Sequence, residues 1–182
     1  MTEYPSRIEC GDFLMEKLPA TCENATQLFH VVDKNRDYLG AYLPWVPRIG
    51  QAEDEIEPLR MVERRDVPAY IIMQDGHLIG SIDAHAESVR DASIELGYWL
   101  DREYTGRGIM TRAARVLMGM LFERGMNRVV IMAAVDNTSS IGVATRLGFV
   151  REGVMRAALQ IRNGEFRDLA VFSKLKSEWE KD

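Results

Sequence analysis

The sequence is short of the residues that would place it in several large classes of protein. Only two of its 182 residues are cysteine, Cys10 and Cys22, too few for a disulfide scaffold, so a reduced compartment is expected. Neither has an evident histidine partner for nucleophilic catalysis. The three histidines, His30, His77 and His85, share no metal-ligand spacing, so no metal is expected. Basic residues number 23 against 28 acidic ones, a net charge of −5, which argues against a surface built for nucleic acid or an anionic membrane. No uncharged apolar run approaches the ~20 residues of a membrane-spanning helix. Residues 1–10 carry neither the basic nor the apolar segment of a secretory signal. With no repeat, low-complexity tract or linker in view, the expectation is a single cytoplasmic domain over residues 1–182.

What is present is a globular balance of 46% hydrophobic and 28% charged residues, which weighs against disorder. Residues 7–18 read as strand, broken by a tight turn at Gly11-Asp12. Thr21 is placed to cap a helix carrying Ala25, Leu28, Val31 and Val32 at helical spacing. Residues 38–45 suggest a helical turn and loop. A second helix is expected over 52–64, with Glu53, Asp54 and Glu55 complementing the positive end of its dipole. There Pro58 marks a kink or the true start. The period then changes. Ala69–Gln74 and residues 77–85 flank Asp75-Gly76, a strong hairpin signal, and Ser93–Leu100 adds a third antiparallel strand. A helix over 107–124 presents Ile109, Ala113, Val116, Leu117, Met120 and Leu121 as an apolar stripe, stopped by Gly125. Arg128–Ala134 reads as a buried strand and 137–147 as a short helix. Strands over 150–161 and 165–175 flank Asn163-Gly164, a second hairpin signal. The order β-α-α-β-β-β-α-β-α-β-β fits a mixed sheet with helices on both faces.

The most informative segment runs from Leu96 to Thr111. A strand ends, a loop passes through Gly106-x-Gly108, and the long helix begins. Helix N-termini leave about four backbone N–H groups unpaired and carry partial positive charge, and glycines let that backbone approach an anion. Arg102, Arg107, Arg112 and Arg115 concentrate positive charge here within an acidic chain. A glycine turn whose arginines merely solvate a helix face reads the same residues equally well. Two commoner phosphate motifs are absent: a P-loop needs G-K-[ST], but Ile109 follows Gly108, and the dinucleotide fingerprint needs a third glycine where Thr111 stands. Asp136 imitates the ribose-binding acid of that second fold, but hairpins flank the unit on both sides.

Ile94-Glu95-Leu96-Gly97-Tyr98-Trp99-Leu100, followed by Gly106-x-Gly108 and by Asn137-x-x-Ser140 with Leu147-Gly148-Phe149, resembles the GNAT superfamily of acetyl-CoA-dependent N-acetyltransferases. Within it the chain is similar to the ribosomal-protein N-terminal acetyltransferases of the RimJ/RimL type, through to Glu178-Trp179. The resemblance implies an α/β fold with a mixed, mostly antiparallel sheet, a splayed central strand and helices on both faces. It implies acetyl-CoA as cosubstrate, with pantetheine bonded to backbone at Trp99 and Leu100. The pyrophosphate would rest on the amides of Gly106, Arg107, Gly108, Ile109, Met110 and Thr111. Asn137 would lie near the pantetheine, and Ser140 would donate to the leaving thiolate. A splayed strand edge offers backbone groups that an amide-bearing pantetheine can pair. Two positions depart from the family pattern. Glu103 stands where Gln or Arg is usual; a carboxylate beside a pyrophosphate is unfavourable, so its side chain is expected to turn away, with Arg102 and Arg107 compensating. Ile141 replaces the Asn or Arg of relatives, leaving that contact open.

Acetyl transfer from a thioester to an amine needs a neutral amine, a stabilised oxyanion and a proton for the thiolate. A protein α-amine, with a pKa of ~7.7–8.0, needs less base assistance than a lysine at ~10.4. Strand alternation puts Glu95, Gly97 and Trp99 on one face, making Glu95 the candidate base, acting through a water. It also reads as an exposed or salt-bridged strand glutamate. Backbone N–H at Trp99 or Leu100 suits the oxyanion. Ser140 and Asn137 are equally good helix caps, a role compatible with catalysis. Ten methionines suit the filling of core gaps. Tyr42, Trp45 and the loop to Gly50 either wall an acceptor pocket or pack as core. Three functions follow: direct acetylation of a protein N-terminus, acetylation of a small amine such as an amino sugar or polyamine, or non-catalytic CoA binding. Family analogy adds a possible homodimer.

Overall fold

The computed structural model describes residues 3–64, 67–161 and 164–181. Its strands are β1 (Arg7–Glu9), β2 (Leu14–Glu16), β3 (Ala69–Gln74), β4 (His77–Ser88), β5 (Ser93–Leu100), β6 (Arg128–Ala134), β7 (Val150–Gln160) and β8 (Phe166–Leu175). The helices are α1 (Cys22–Lys34), α2 (Arg36–Gly40), α3 (Ile56–Glu63), α4 (Ile109–Glu123), α5 (Thr138–Arg146) and α6 (Lys176–Trp179). The strands form one sheet in the order β1-β2-β3-β4-β5-β6-β8-β7. The β5–β6 pair is parallel, whereas β1–β2, β2–β3, β3–β4, β6–β8 and β7–β8 are antiparallel. This is the mixed, mostly antiparallel sheet expected. Among the described residues no helix is long and apolar enough to cross a membrane.

The chain packs as two compact units, one comprising Met1–Asp83 and Tyr98–Ile109, the other Ala84–Gly97 and Met110–Asp182. In the first, Thr21 caps α1 by accepting a hydrogen bond from the Asn24 N–H. Ala25, Leu28, Leu59, Ile71 and Leu78 form one buried cluster, and Val32, Leu39 and Val46 a second. The helix expected over 52–64 is a 3-10 turn at Ala52–Glu55 followed by α3. Pro58 falls in the first turn of α3, where its missing N–H costs no helical bond. Asp75 and Gly76, both at positive φ (50° and 78°), make the β3–β4 turn.

In the second unit, α4 begins at Ile109 rather than at 107. Its buried face includes Ala113, Ala114, Leu117, Met118, Leu121 and Phe122, with Val116 and Met120 at its margin. Phe122 packs against Trp179 of α6, their ring centroids 5.7 Å apart. Arg128 on β6 forms a two-pronged ion pair with Glu152 on β7, which also accepts the Ser173 hydroxyl of β8 at 2.8 Å. Those two donors, Arg128 first, pull the Glu152 carboxyl down to about 2. The parallel register pairs Ser93, Ile94 and Glu95 with Arg128, Val129 and Val130, while β5 continues to Leu100 and β6 to Ala134. The turn expected at Asn163-Gly164 falls partly outside the described residues, since Asn163 is not among them.

One glycine is set by crowding. A Cβ at Gly80 would lie 2.4 Å from the Trp99 carbonyl oxygen and 3.0 Å from the Leu100 Cα. Both obstacles are backbone, so β4 and the end of β5 would have to separate to admit one. Gly80→Ala is expected to lower unfolding free energy by about 1–3 kcal/mol. Urea denaturation checks this, and an unchanged midpoint would show that the strands yield freely.

Candidate active site

The candidate residues fall in both units. Trp99, Leu100, Gly106, Arg107, Gly108 and Ile109 belong to the first; Glu95, Met110, Thr111, Asn137 and Ser140 belong to the second.

The loop before α4 is anchored at its start. The Asp101 N–H donates to the Ile79 carbonyl at 2.7 Å, and the buried Asp101 carboxylate accepts from the Glu103 N–H at 3.0 Å. The end of α1 holds the same segment: Asn35 Oδ1 accepts from the Arg102 N–H at 3.0 Å. Lys34 Nζ donates to Glu103 Oε2 at 2.7 Å and to Asp101 Oδ2 at 3.0 Å. These two acceptors, Glu103 first, push the Lys34 ammonium up to about 12. The unusual Glu103 carboxylate is thus engaged by Lys34. Arg107 donates to the Glu103 carbonyl at 2.8 Å and lies 5.0 Å over the Tyr104 ring; Arg102 lies 5.8 Å over Tyr38.

Gly106 and Gly108 then take φ of +76° and +73°, with nothing within 4 Å of a would-be Cβ at either. The sign of φ, not crowding, selects glycine at both positions. The left-handed Gly108 also explains why the helix cannot begin at 107. The first N–H groups of α4, from Ile109 onward, have no partner one turn back in the helix.

In the second unit, Glu95 on β5 keeps 18% of its side chain exposed, and its Oε1 lies 3.6 Å from His85 Nε2 on β4. The sequence offered no reason to select His85; its place beside Glu95 comes from strand neighbours that only the fold brings together. Asn137 caps α5 by accepting from the Ser140 N–H at 3.1 Å. The cap is therefore real, and it engages the Ser140 N–H. Thr111 Oγ1 accepts from Arg146 Nε at 3.2 Å. Asp136, the imitation ribose acid, is ion-paired with Arg167. Arg115 lies 5.7 Å over Trp179. Among the described residues no group of His, Cys, Asp and Glu could hold a metal ion.

The first unit also contains a cavity of about 290 Å³, lined by apolar residues that include Leu28, Trp45, Ile49, Leu59, Ile71 and Trp99, and by Glu55, Ser81 and Asp83. Of the residues expected either to wall an acceptor pocket or to pack as core, Trp45 and Ile49 line this cavity, Trp45 also packs against a buried cluster, and Tyr42 is not among the lining residues. The Trp45 and Trp99 rings are 6.4 Å apart and tilted, and Trp99 packs against both buried clusters of this unit. Glu55 was read as one of three dipole-complementing acids, but only Asp54 caps the turn, accepting from the Gly50 and Gln51 N–H groups at 2.8 and 3.1 Å. Glu55 is instead 6% exposed, and its Oε1 has no hydrogen-bond partner among the described residues. Burial, and then the neighbouring Asp54, raises its carboxyl to about 7.

A family model described as an acetyltransferase (GNAT) domain matches residues 18–150. YdaF of Bacillus subtilis (strain 168), a candidate ribosomal N-acetyltransferase by its name, is 35% identical over 164 residues, covering 87% of this chain and 89% of YdaF. The ribosomal-protein-serine acetyltransferase of Escherichia coli (strain K12) is 29% identical over 166 residues, covering 87% of this chain and 92% of that protein. A solved structure of RimL, a ribosomal L7/L12 α-N-protein acetyltransferase in complex with coenzyme A, superposes with a TM-score of 0.86. The two share 25% identity, covering 94% of this chain and 99% of that one.

Glu55 makes stability depend on pH. Its carboxyl titrates higher in the folded protein than in the unfolded chain, so the native state binds the extra proton between about 4.5 and about 7. Stability contributed by the protonated form is therefore lost as pH rises through that window. Thermal unfolding from pH 5 to pH 8 should show this fall. Glu55→Gln should remove it and melt higher than the parent at about pH 8; identical profiles would contradict the assignment.

Proposed function

The chain belongs to the acetyltransferase (GNAT) family, and from that we propose that it transfers an acetyl group from acetyl-CoA to the N-terminal α-amine of a ribosomal or other protein. The observation that carries this reading is the loop at Gly106 and Gly108. Its left-handed glycines deliver the N–H groups of Ile109, Met110 and Thr111 as the open first turn of a 15-residue helix, a fitting rest for a pyrophosphate. Lys34 holds the Glu103 carboxylate, which would otherwise oppose that anion. The coenzyme A bound by RimL supports the choice of donor. The family match lies across both packing units, which supports reading residues 1–182 as one acetyltransferase domain.

Each residue then has one task. Backbone groups at Trp99 and Leu100 pair the pantetheine amides, and Asn137 lies near the same arm. Glu95, with His85 at 3.6 Å, takes the amine proton through a water, leaving nitrogen free to attack the thioester carbonyl carbon. A backbone N–H at Trp99 or Leu100 stabilises the resulting oxyanion. The C–S bond then breaks, and the proton still carried by the attacking nitrogen passes to the departing thiolate, towards which the Ser140 hydroxyl donates. The transfer is direct, with no acetyl-enzyme. The proposed setting is the cytoplasm, and the proposed assembly a homodimer. A small cationic amine is the second acceptor reading, favoured by the carboxyl groups of Glu55 and Asp83 in the cavity wall.

Incubation with acetyl-CoA and a cognate cell extract, followed by mass spectrometry, tests the choice of acceptor. A newly acetylated protein N-terminus supports the first reading, and an acetylated metabolite replaces it with the second. Coenzyme A binding without transfer to any amine removes the enzymatic role. Glu95→Gln should lower kcat/KM by roughly 10²-fold; parental activity would take Glu95 out of the mechanism. Ser140→Ala should slow turnover while leaving acetyl-CoA affinity in place, and an equal loss of affinity would reduce Ser140 to its capping turn.

A further inference from the structure

The cavity of the first unit combines features that an ordinary core lacks. Its wall is apolar, with Trp45, Leu59, Ile71 and Trp99 among its residues, yet it also includes Glu55 and Asp83, and among the described residues no Lys, Arg or His lines it. Glu55 is 6% exposed and leaves Oε1 without a hydrogen-bond partner among the described residues. An unpartnered buried carboxyl is costly, and a void lined by large apolar side chains forfeits their contacts. Both costs are relieved by one kind of ligand, an apolar body ending in a cationic donor. Its size is adequate, since the cavity, at about 290 Å³, lies at the lower end of small-molecule sites.

We propose that this cavity binds an amine whose apolar body packs against Trp45, Leu59 and Trp99 and whose ammonium group is received by Glu55. The assignment rests on the acetyltransferase reading only in identifying that amine as the acceptor, beside the tryptophan whose backbone is proposed to hold the donor. Glu55 then selects for positive charge, and none of the described lining residues is a cation that would receive an anionic ligand. Asp54 acts on Glu55 from its own turn; the other titratable residues of the described lining are Asp83 from β4 and Tyr70 from β3, whose hydroxyl donates to the Pro5 carbonyl at 3.0 Å. From α1 and α3 the lining is apolar: Leu28, Pro58, Leu59 and Val62. With Glu55 titrating at about 7, amine binding strengthens as pH rises through neutrality while the ammonium stays charged.

Isothermal titration of the full-length protein, without acetyl-CoA, tests this with three probes of one shape: 2-phenylethylamine, 2-phenylethanol and 3-phenylpropionate. The amine should bind roughly ten-fold more tightly at about pH 8 than at about pH 6, following ionisation of one carboxyl. The alcohol should bind at least about ten-fold more weakly than the amine at about pH 8, with no such pH trend, and the carboxylate should not bind. Glu55→Gln should bring the amine down to the level of the alcohol and flatten its pH profile. Equal binding of amine and alcohol by the parent protein, no binding of any probe, or a pH profile unmoved by Glu55→Gln would each overturn the proposal. The parent comparison needs no variant. Acetyl transfer is assayed separately: probe binding as described with no acetylation of any amine overturns the acetyltransferase reading alone. Acetylation with kcat/KM for amines unmoved by Glu55→Gln overturns the acceptor assignment and leaves that reading intact.

Discussion

The missing side chain at Gly80 is the constraint on which the first unit depends. A Cβ there would sit 2.4 Å from the Trp99 carbonyl oxygen, so only glycine lets β4 and the end of β5 approach so closely. One residue further on, the Asp101 N–H reaches the Ile79 carbonyl, which ends the strand at a fixed point and starts the loop from a buried carboxylate. Lys34 and Asn35, at the end of α1, close on that same point. The approach also fixes the backbone that carries the Trp99 side chain into both apolar clusters and the cavity wall. Packing, the start of the glycine loop and the cavity wall are thus three consequences of one close contact.

Acidic residues show how little a charge sum says about chemistry. Asp54 and Glu55 are neighbours in the chain. Asp54 accepts two backbone N–H groups, and its carboxyl is held low, chiefly by the bond from Gly50. Glu55 is buried with no partner for Oε1 among the described residues, and its carboxyl is driven up to about 7. Glu103, a carboxylate that an anion would avoid, is drawn to Lys34. Arginines are similarly divided, with Arg102, Arg107 and Arg115 each lying over an aromatic ring.

Much of the fold was legible because its signals are local. Strands Ala69–Gln74, Ser93–Leu100 and Arg128–Ala134 have the expected ends, and Thr21 and Asn137 cap the helices they precede. The misreadings have physical causes. The long helix starts at Ile109 because Gly108 is left-handed, a backbone property that helical periodicity cannot reveal. β4 passes His85 to reach Ser88 through Ala86 at φ +50°, a continuation that no hairpin signal marks. The four-residue α6 is too short to show a period, and Glu178 steadies it by accepting from the Leu175 N–H at 2.9 Å.

By itself the sequence determined the order and type of the main elements, the glycine loop ahead of the long helix, and family membership through motifs contiguous in the chain. These follow from turn chemistry, capping and side-chain period, which act over a few residues. Tertiary structure alone decided that Glu55 is buried in a cavity rather than solvated on a helix end. It decided too that His85 stands beside Glu95 and that Lys34 holds Glu103. The physical reason is distance along the chain: Lys34 and Glu103 are 69 residues apart, and no local preference encodes what packing brings together. A carboxyl's chemistry belongs to its surroundings, and those exist only once the chain has folded.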